Sequence, residues 1–394
     1  MTATQDTIWM AQALRLAERG LYTTSPNPRV GCVLVREGAV VGEGWHARAG
    51  EPHAEVLALR AAGEAARGAS AYVTLEPCSH DGRTPPCVNA LIAAGIARVV
   101  AAVQDPNPQV AGQGIAKLRA ASIEVECGLM EAAARELNIG FFSRMTRGTP
   151  WLRSKIAMSL DGRTALANGT SKWITGEDAR RDVQHWRARS CAVLTGIGTV
   201  LADDAQLNVR ESALLFPPLT AGGSLRSNGE PPGVPHAGTR GGREGLRQPL
   251  RVVVDSQLRL PLTARVLLGG NVAVYTAAQD AEKIAALEKT GARVIVLPGA
   301  NTRVDLNAVL RDLAARGCNE VLVEAGSALN GALLQAGLVD ELLLYLAPQL
   351  LGDAARGMAQ LGEFSRLEQR VNLKWHEVRQ IGNDLRITVR VEHV

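Results

Sequence analysis

Short apolar runs and segments of helical spacing alternate along the first part of the chain. The β-branched runs predict four strands, at residues 29–35, 71–75, 98–103 and 123–127. The segments around them repeat apolar positions every three or four residues and predict helices at residues 6–19, 54–67, 86–94, 112–121 and 130–147. Strands that alternate with helices in this way indicate a layered α/β domain.

A second α/β pattern begins at Trp151. Its predicted strands are residues 152–157, 192–194, 250–254, 272–275, 293–297, 320–323 and 341–347, and its predicted helices are residues 176–189, 281–289, 306–316 and 328–336. Two alternating stretches in residues 372–394 predict a terminal hairpin. The sequence RGTP at residues 147–150 interrupts the helix before it. We therefore predict one domain over residues 1–147 and another over residues 148–394.

One segment of the second domain has a different composition. Residues 217–249 contain eight Gly and six Pro, so 14 of 33 positions are one or the other. That fraction exceeds the roughly 25–30% that marks low-complexity sequence. We predict a flexible surface insertion here, and an ordered lid over a site is the open alternative.

Composition narrows the class of protein. The chain has 394 residues, of which 46% are apolar and 21% charged, as in ordinary globular proteins. No apolar run reaches the ~18–20 residues of a membrane span, and the first twenty residues lack the pattern of a signal peptide, so we expect a cytoplasmic protein without a membrane partner. The net charge is only +4 and no basic stripe carries aromatic residues, so nucleic acid is not an expected partner.

The first chemical signal is an ordered set of residues that zinc favours. His53 is followed by Glu55 two residues later, and then by Cys78 and Cys87, all within 35 residues. Imidazole and thiolates are the usual ligands of zinc, and a catalytic site with three protein ligands leaves the fourth position to water. Glu55 can then move protons without binding the metal, as the corresponding glutamate does in zinc nucleobase deaminases. We therefore predict His53, Cys78 and Cys87 as ligands and Glu55 as the catalytic residue.

Each residue of this set also has a simpler interpretation. Alone, His53 would be a surface histidine, and either cysteine would be a buried apolar residue. That interpretation holds for the other four cysteines, since Cys32 lies within an apolar strand and no second residue of a zinc motif lies near Cys127, Cys191 or Cys318 in the sequence. His80 is an alternative ligand, although three ligands and water already complete a catalytic site.

Longer motifs carry a resemblance to one family. Nucleobase deaminases commonly space their two cysteines as Cys-x-x-Cys, whereas eight residues separate Cys78 from Cys87. The run TLEPCSHDGRTPPC at residues 74–87 and the run SPNPRVG at residues 25–31 resemble the deaminase half of the bifunctional riboflavin-biosynthesis deaminase–reductases. The second half of the chain resembles the reductase half of the same family in the motifs KIAMSLDGRTA (155–165), WIT (173–175), VLADD (200–204), VEAGS (323–327) and LAP (346–348).

This resemblance implies the fold and the cofactors. It implies a cytidine-deaminase-like three-layer α/β/α domain followed by a dihydrofolate-reductase-like α/β domain, with Zn²⁺ in the first and NADPH in the second. The residues that it implies for NADPH are Ala157, Trp173, Thr199, Asp203, Ser256, Gly326, Ser327, Ala328, Leu329, Asn330, Gly331 and Ala332. The residues that it implies for the substrate are Ser171, Arg187, Leu207, Arg210 and Glu324.

The residues themselves agree with a phosphate-binding site. An apolar strand, a glycine at residue 326 and a helix start form a natural phosphate cradle. The guanidinium groups of Arg187 and Arg210 suit a phosphate, although a solvated helix face and a loop cation are the alternatives for them. For Trp173, the alternative is a plain core residue.

The resemblance also implies the reactions. They are hydrolytic deamination of 2,5-diamino-6-ribosylamino-4(3H)-pyrimidinone 5′-phosphate and NADPH-dependent reduction of the ribosyl chain, which gives 5-amino-6-(5-phosphoribitylamino)uracil. The expected partner is this small phosphorylated pyrimidine, and association with further copies of the chain stays open. Two other functions are weighed against this one: a deaminase of nucleic-acid bases, which the low aromatic content of 4% disfavours, and a scaffold with structural zinc, which the free Glu55 disfavours.

Overall fold

The chain divides into two compact units in a computed structural model that describes residues 3–80, 85–108, 110–210 and 247–392. One unit is Met1–Trp151 with Arg311–Asn319, and the other is Leu152–Leu310 with Glu320–Val394. Most of the predicted insertion at residues 217–249 lies outside the described residues. Among the described residues, no helix has both the length and the apolar character needed to cross a membrane.

The first unit is built on a five-stranded sheet. Its strands are β1 (Gly31–Arg36), β2 (Ala39–Trp45), β3 (Ser70–Val73), β4 (Arg98–Ala101) and β5 (Glu124–Cys127). Its helices are α1 (Ala3–Glu18), α2 (Ala54–Ala62), α3 (Cys87–Ala93), α4 (Gln113–Ala120), α5 (Glu131–Leu137) and α6 (Ile139–Arg147). The strand order is β2-β1-β3-β4-β5, in which β1 is antiparallel to both neighbours and β3, β4 and β5 are parallel.

Alternate residues of β1 pack on opposite faces of this sheet. Cys32 and Leu34 join a core with residues of α2, α3 and α4. Val33 and Val35 join a second core with residues of α1, α5 and α6. This period of two is what a strand buried on both faces requires. The structure therefore confirms the predicted three layers.

Strand β2 is absent from the prediction, and its glycines explain why. A Cβ atom at Gly42 would lie 2.3 Å from the carbonyl oxygen of Ala58, and one at Gly44 would lie 2.2 Å from that of Ala54. Only glycine lets helix α2 lie this close to the strand. Glycine is also uncommon in strand interiors, so the sequence of β2 does not have the β-branched pattern of a strand.

The single helix predicted over residues 130–147 is wrong, since the structure has two helices that are separated at Asn138. The side chain of Asn138 accepts a hydrogen bond from the backbone N–H of Arg29 at 2.8 Å and donates one to the carbonyl oxygen of Arg29 at 2.9 Å. This pairing spans more than one hundred residues of sequence, so no local pattern could have predicted the break. The helix predicted over residues 54–67 likewise ends early, because Gly63 adopts a positive φ of 53°.

The second unit is built on a longer sheet. Its strands are β6 (Trp151–Ser159), β7 (Arg163–Ala165), β8 (Ala192–Gly196), β9 (Leu250–Val254), β10 (Val272–Thr276), β11 (Ala292–Val296), β12 (Glu320–Val323), β13 (Glu341–Ala347), β14 (Arg356–Gly357), β15 (Leu373–Ile381) and β16 (Asp384–Val391). The helices in this part of the chain are α7 (Glu177–Arg189), α8 (Ile197–Asp203), α9 (Ala281–Glu288), α10 (Leu306–Ala315) and α11 (Ser327–Gln335). The nine-stranded order among the described residues is β11-β10-β9-β8-β12-β6-β13-β16-β15, and β7 pairs with β14 separately.

Parallel pairing brings several strand ends to one edge of this sheet. Strands β11, β10, β9, β8 and β12 are parallel from each neighbour to the next. The carboxyl ends of β8, β9 and β12 therefore meet at the same edge, where open α/β sheets bind ligands. The predicted terminal hairpin is confirmed, because β15 and β16 are antiparallel and β16 pairs with β13.

Candidate active sites

Three predicted zinc ligands meet in the first unit. His53 precedes helix α2 in an extended conformation, and Cys87 is the first residue of α3. The Nδ1 atom of His53 lies 3.2 Å from the Sγ atom of Cys87 and 3.5 Å from that of Cys78. One ligand atom from each residue lies within 4.8 Å of the other two. The structure thus brings together three residues that are separated in sequence.

Electrostatics favour a thiolate in this cluster. A hydrogen bond from the Cys87 thiol lowers the pKa of Cys78 to about 4, against the opposing effect of burial. The backbone N–H of Cys87, at the start of α3, also donates to the Cys78 sulfur at 3.3 Å. Thiolate is the form of cysteine that binds metals. The donor set of one imidazole and two cysteines therefore fits zinc.

Glu55 lies in the first turn of α2 beside these residues. Its side chain is buried, and its Oε2 atom has no hydrogen-bond partner among the described residues. Burial, with a further contribution from the negative charge of Cys78, raises the pKa of Glu55 to about 7. A buried carboxyl oxygen without a partner normally costs free energy, which suggests that a ligand of the working site engages it. The predicted proton-transfer residue has the burial and the pKa that such a role needs.

Two buried residues near the cluster were missed by the sequence analysis. His46 packs edge-on against the His53 ring, with centroids 5.1 Å apart, and its Nδ1 atom lies 3.3 Å from the carbonyl oxygen of Pro52. Glu76, two residues before Cys78, accepts hydrogen bonds from the backbone of Asp105, Gly112 and Ile115 at 3.2, 2.9 and 3.1 Å. Glu76 therefore anchors the segment that leads to Cys78. Its position in the Glu-Pro-Cys run was the available signal, but its partners lie about 30–40 residues away.

A cleft of 1370 Å³ lies in the second unit, along the edge where the parallel strands end. All five predicted substrate residues line it, and so do ten of the twelve predicted cofactor residues. Asn330 and Gly331 do not. Asn330 is buried and donates to the carbonyl oxygens of Ala325 and Met358, while Gly331 packs closely against the backbone of Gln360. Residues 327–335 form a helix, and the face that carries Ser327, Ala328, Leu329 and Ala332 borders the cleft, so the role of Asn330 and Gly331 stays a prediction.

Arg187 and Glu324 form a partly buried ion pair in the cleft. The guanidinium of Arg187 donates through two of its nitrogens to the carboxylate of Glu324 and through Nη1 to the carbonyl oxygen of Asn208 at 2.9 Å. Burial raises the pKa of Glu324, but the charge and hydrogen bonds of Arg187 outweigh it and lower that pKa to about 2. Arg187 is therefore committed to Glu324, so Arg210 is the better candidate for the phosphate of the substrate.

The cleft also contains residues for which the sequence analysis assigned no role. Lys155 lies beside the ion pair, where burial lowers its pKa while the charge of Glu324 raises it. Arg180 stacks over Trp173 with its guanidinium carbon 4.5 Å from the ring centroid. Trp173 is 69% exposed, so the interpretation of Trp173 as a core residue is wrong.

Comparisons with known proteins identify a domain family for each half of the chain. The profile of the RibD C-terminal domain matches residues 150–387, and that of the cytidine and deoxycytidylate deaminase zinc-binding region matches residues 3–103. The chain belongs to the RibD family. It is 49% identical over 387 residues to the riboflavin biosynthesis protein RibD of Escherichia coli strain K12, which covers 97% of this chain and 98% of that protein. It is 47% identical over 386 residues to the Haemophilus influenzae protein of the same name, with 98% and 97% covered.

Solved structures of the RibD family have the same fold. One form of Acinetobacter baumannii RibD matches with a TM-score of 0.84 and 45% identity over 99% of each chain. A diaminohydroxyphosphoribosylaminopyrimidine deaminase/5-amino-6-(5-phosphoribosylamino)uracil reductase from Thermotoga maritima matches with a TM-score of 0.80 and 31% identity over 98% of this chain and 99% of that one. The predicted order of domains is thereby confirmed. The chain is a bifunctional enzyme of riboflavin biosynthesis, with a zinc-dependent deaminase domain and an NADPH-dependent reductase domain.

Proposed function

We propose that the chain deaminates 2,5-diamino-6-ribosylamino-4(3H)-pyrimidinone 5′-phosphate and then reduces the ribosyl chain of the product to a ribityl chain. The Thermotoga maritima relative combines a deaminase and a reductase of phosphoribosylaminopyrimidines in one chain, and that pairing supports the same two steps here. Residues 1–147 would carry the first activity and residues 148–394 the second. The observation that carries the proposal is the cluster of His53, Cys78 and Cys87 with the buried Glu55 beside it.

In the first site, three residues bind the metal and a fourth transfers protons. His53, Cys78 and Cys87 hold the metal, which when bound supplies a Lewis acid that makes water nucleophilic at neutral pH. Glu55 accepts one proton from the attacking water and delivers it to the ring nitrogen. It then takes the proton of the hydroxyl group added to the ring carbon and delivers it to the amino group, which leaves as ammonia while the carbon becomes a carbonyl. A carboxyl group with a pKa of about 7 can perform both transfers near neutral pH.

In the cleft, one set of residues would bind the cofactor and another would bind the substrate. Gly326 and Ser327, at the start of α11, would hold NADPH through backbone N–H groups that favour phosphate, and the bound cofactor would supply a hydride. Arg210 holds the phosphate of the substrate. Arg187 orients Glu324, and the ionised Glu324, which lines the cleft, binds polar groups of the substrate. Trp173, Thr199, Asp203 and Ser256 complete the cofactor surface, while Ser171 and Leu207 complete that of the substrate.

Two assays on the purified chain test this proposal. Incubation with the diaminopyrimidine phosphate should release ammonia, and addition of NADPH should then consume about one equivalent of cofactor per deaminated pyrimidine. Release of ammonia without NADPH oxidation would remove the proposed reduction step. Location in the cytoplasm and association of several copies are compatible with this function and stay predictions.

A further inference from the structure

The segment that carries Arg210 begins with an unusual backbone conformation. Leu207 has a positive φ of 56°, and its side chain is buried in the core of the second unit. This conformation is unfavourable for a residue other than glycine, so it persists only where the surrounding structure enforces it, and it is concentrated at functional sites. Residues 208–210, which follow Leu207, are called the phosphate arm here, because Arg210 at their end is the residue proposed above to bind the phosphate of the substrate.

Two glutamine side chains hold the backbone of the phosphate arm. The amide of Gln248 accepts a hydrogen bond from the N–H of Val209 at 2.8 Å and donates one to the carbonyl oxygen of Val209 at 3.0 Å. The side-chain oxygen of Gln184 accepts a hydrogen bond from the N–H of Arg210 at 3.1 Å. An amide side chain suits this task because it offers both a donor and an acceptor to a peptide group. The backbone on both sides of the Val209–Arg210 bond is therefore fixed by side chains from distant parts of the sequence.

Helix α7 directs Gln184 toward the phosphate arm. Arg180 and Arg187 line the cleft, and their spacing of four and three residues from Gln184 places all three side chains on one face of the helix. Arg187 also donates to the carbonyl oxygen of Asn208 at 2.9 Å, so α7 contacts both ends of the arm. Gln184 is only 2% exposed and does not line the cleft. Any effect of Gln184 on a ligand must therefore pass through the backbone of Arg210.

The side chain of Arg210 is free to meet a ligand. It is exposed and lines the cleft, and within the described part of the chain its guanidinium has no hydrogen-bond or ion-pair partner. A long side chain pivots about its own Cα atom, so a fixed backbone restricts the positions that the guanidinium can reach. That restriction reduces the conformational entropy lost when the guanidinium binds a phosphate.

We propose that Gln184 and Gln248 are positioning residues of the reductase, which fix the phosphate arm so that Arg210 meets the phosphate of the substrate. This inference rests on the proposed function, in which Arg210 binds that phosphate. The two glutamines act on binding of the phosphate and not on hydride transfer. Loss of either side chain should therefore raise the KM of the pyrimidine and leave kcat and the KM of NADPH unchanged.

The test compares a phosphorylated ligand with its dephosphorylated form on the intact chain. Calorimetry measures binding of 5-amino-6-(5-phosphoribitylamino)uracil, the proposed product, and of 5-amino-6-ribitylaminouracil. Gln184→Met removes one acceptor at similar shape, so it should bind the phosphorylated compound about 2- to 13-fold more weakly and the other compound as the wild type does. Gln248→Met, at an exposed position, should show a larger loss of the same kind because it removes two hydrogen bonds.

The control is Gln380→Met, which removes a glutamine hydrogen bond to the backbone of Gly382 outside the cleft. It should bind both compounds as the wild type does. A double variant then separates positioning from a general effect on the fold. If Gln184 acts through Arg210, Gln184→Met should cause no further loss of affinity for the phosphorylated compound in an Arg210→Ala background.

Four results would overturn the inference. They are losses that add in the double variant, an equal loss of affinity for both compounds, glutamine variants that behave like Gln380→Met, and an Arg210→Ala variant that binds the phosphorylated compound normally. A failure of the proposed function looks different. In that case the wild-type chain would not oxidise NADPH with the pyrimidine, while Gln184→Met would still weaken binding of the phosphorylated compound alone, which supports the inference.

Discussion

Glu55 in the deaminase site and Glu324 in the reductase cleft are both largely buried glutamates, yet their pKa values shift in opposite directions. Glu55 has no cation paired with its carboxylate, so burial and the negative charge of Cys78 raise its pKa to about 7. Glu324 is held by the Arg187 guanidinium, which lowers its pKa to about 2 despite burial. The comparison shows that the charge of the partner, and not burial alone, decides whether a buried carboxyl group can exchange protons near neutral pH.

The two sites also differ in how their residues reach one another. The proposed zinc site takes its ligands and Glu55 from 35 residues: His53 and Glu55 at the start of α2, Cys78 in the loop after β3, and Cys87 at the start of α3. The residues that line the cleft are scattered between Lys155 and Gln360 in the sequence, and most of them lie in segments that follow parallel strands. Removal of one residue from the first site should therefore lower deamination by at least two orders of magnitude, whereas removal of one residue from the cleft should weaken reduction less.

The largest effect is expected from Cys78→Ala. Two remaining protein ligands hold zinc poorly, so the variant should lose the metal and all detectable deamination while reduction of the deaminated pyrimidine continues. Metal analysis and the two activity assays measure this, with the exposed Cys127→Ala as the control. A variant that keeps one equivalent of zinc would show that Cys78 is not a ligand.

Glu55→Gln should separate proton transfer from metal binding. Because the proposed role of Glu55 is proton transfer without metal binding, zinc should remain at one equivalent while kcat for deamination falls about 10²- to 10⁴-fold. The exposed Glu64→Gln, in the same unit, should leave both quantities unchanged. Loss of zinc from Glu55→Gln, or deamination at the wild-type rate, would refute the assigned role.

Arg210→Ala should weaken the reductase without stopping it. Loss of one charge-assisted contact to the phosphate should lower kcat/KM for the pyrimidine about 10- to 150-fold, with the KM of NADPH and the rate of deamination unchanged. Arg210→Lys should recover part of the loss because it keeps the charge without the planar fork. A rise in the KM of NADPH instead would place Arg210 in the cofactor site.

Arg187→Met should make Glu324 more like Glu55. Burial would then act against the weaker pull of Lys155 and Arg210, so the pKa of Glu324 should rise from about 2 to its ordinary value of 4.5 or higher. As the pH is lowered, kcat/KM of the variant reductase should begin to fall at a higher pH than kcat/KM of the wild type. The control is Arg181→Met, which changes a more exposed arginine on the same helix. If kcat/KM of the variant and the wild type falls at the same acidic pH, Arg187 does not set the ionisation of Glu324.

The same pair has a consequence for stability. A carboxyl group whose pKa is lowered in the folded state stabilises that state above its unfolded pKa, and the contribution is lost as the pH falls through the folded pKa. For Glu324, the stabilisation should be complete above pH 4.5 and should disappear as the pH approaches about 2. Denaturation of the wild type and Arg187→Met across this range measures the difference.

The sequence determined the features that depend on local spacing. The order of His53, Glu55, Cys78 and Cys87 indicated zinc hydrolysis, and β-branched runs gave most of the strands, because helix and strand periods are properties of neighbouring residues. Only the tertiary structure decided the others. The break at Asn138, the pairing of Arg187 with Glu324 and the bond from the Ile115 backbone to Glu76 each join residues that lie 39 to 137 positions apart. Such contacts follow from strand order and chain topology, which local spacing does not encode.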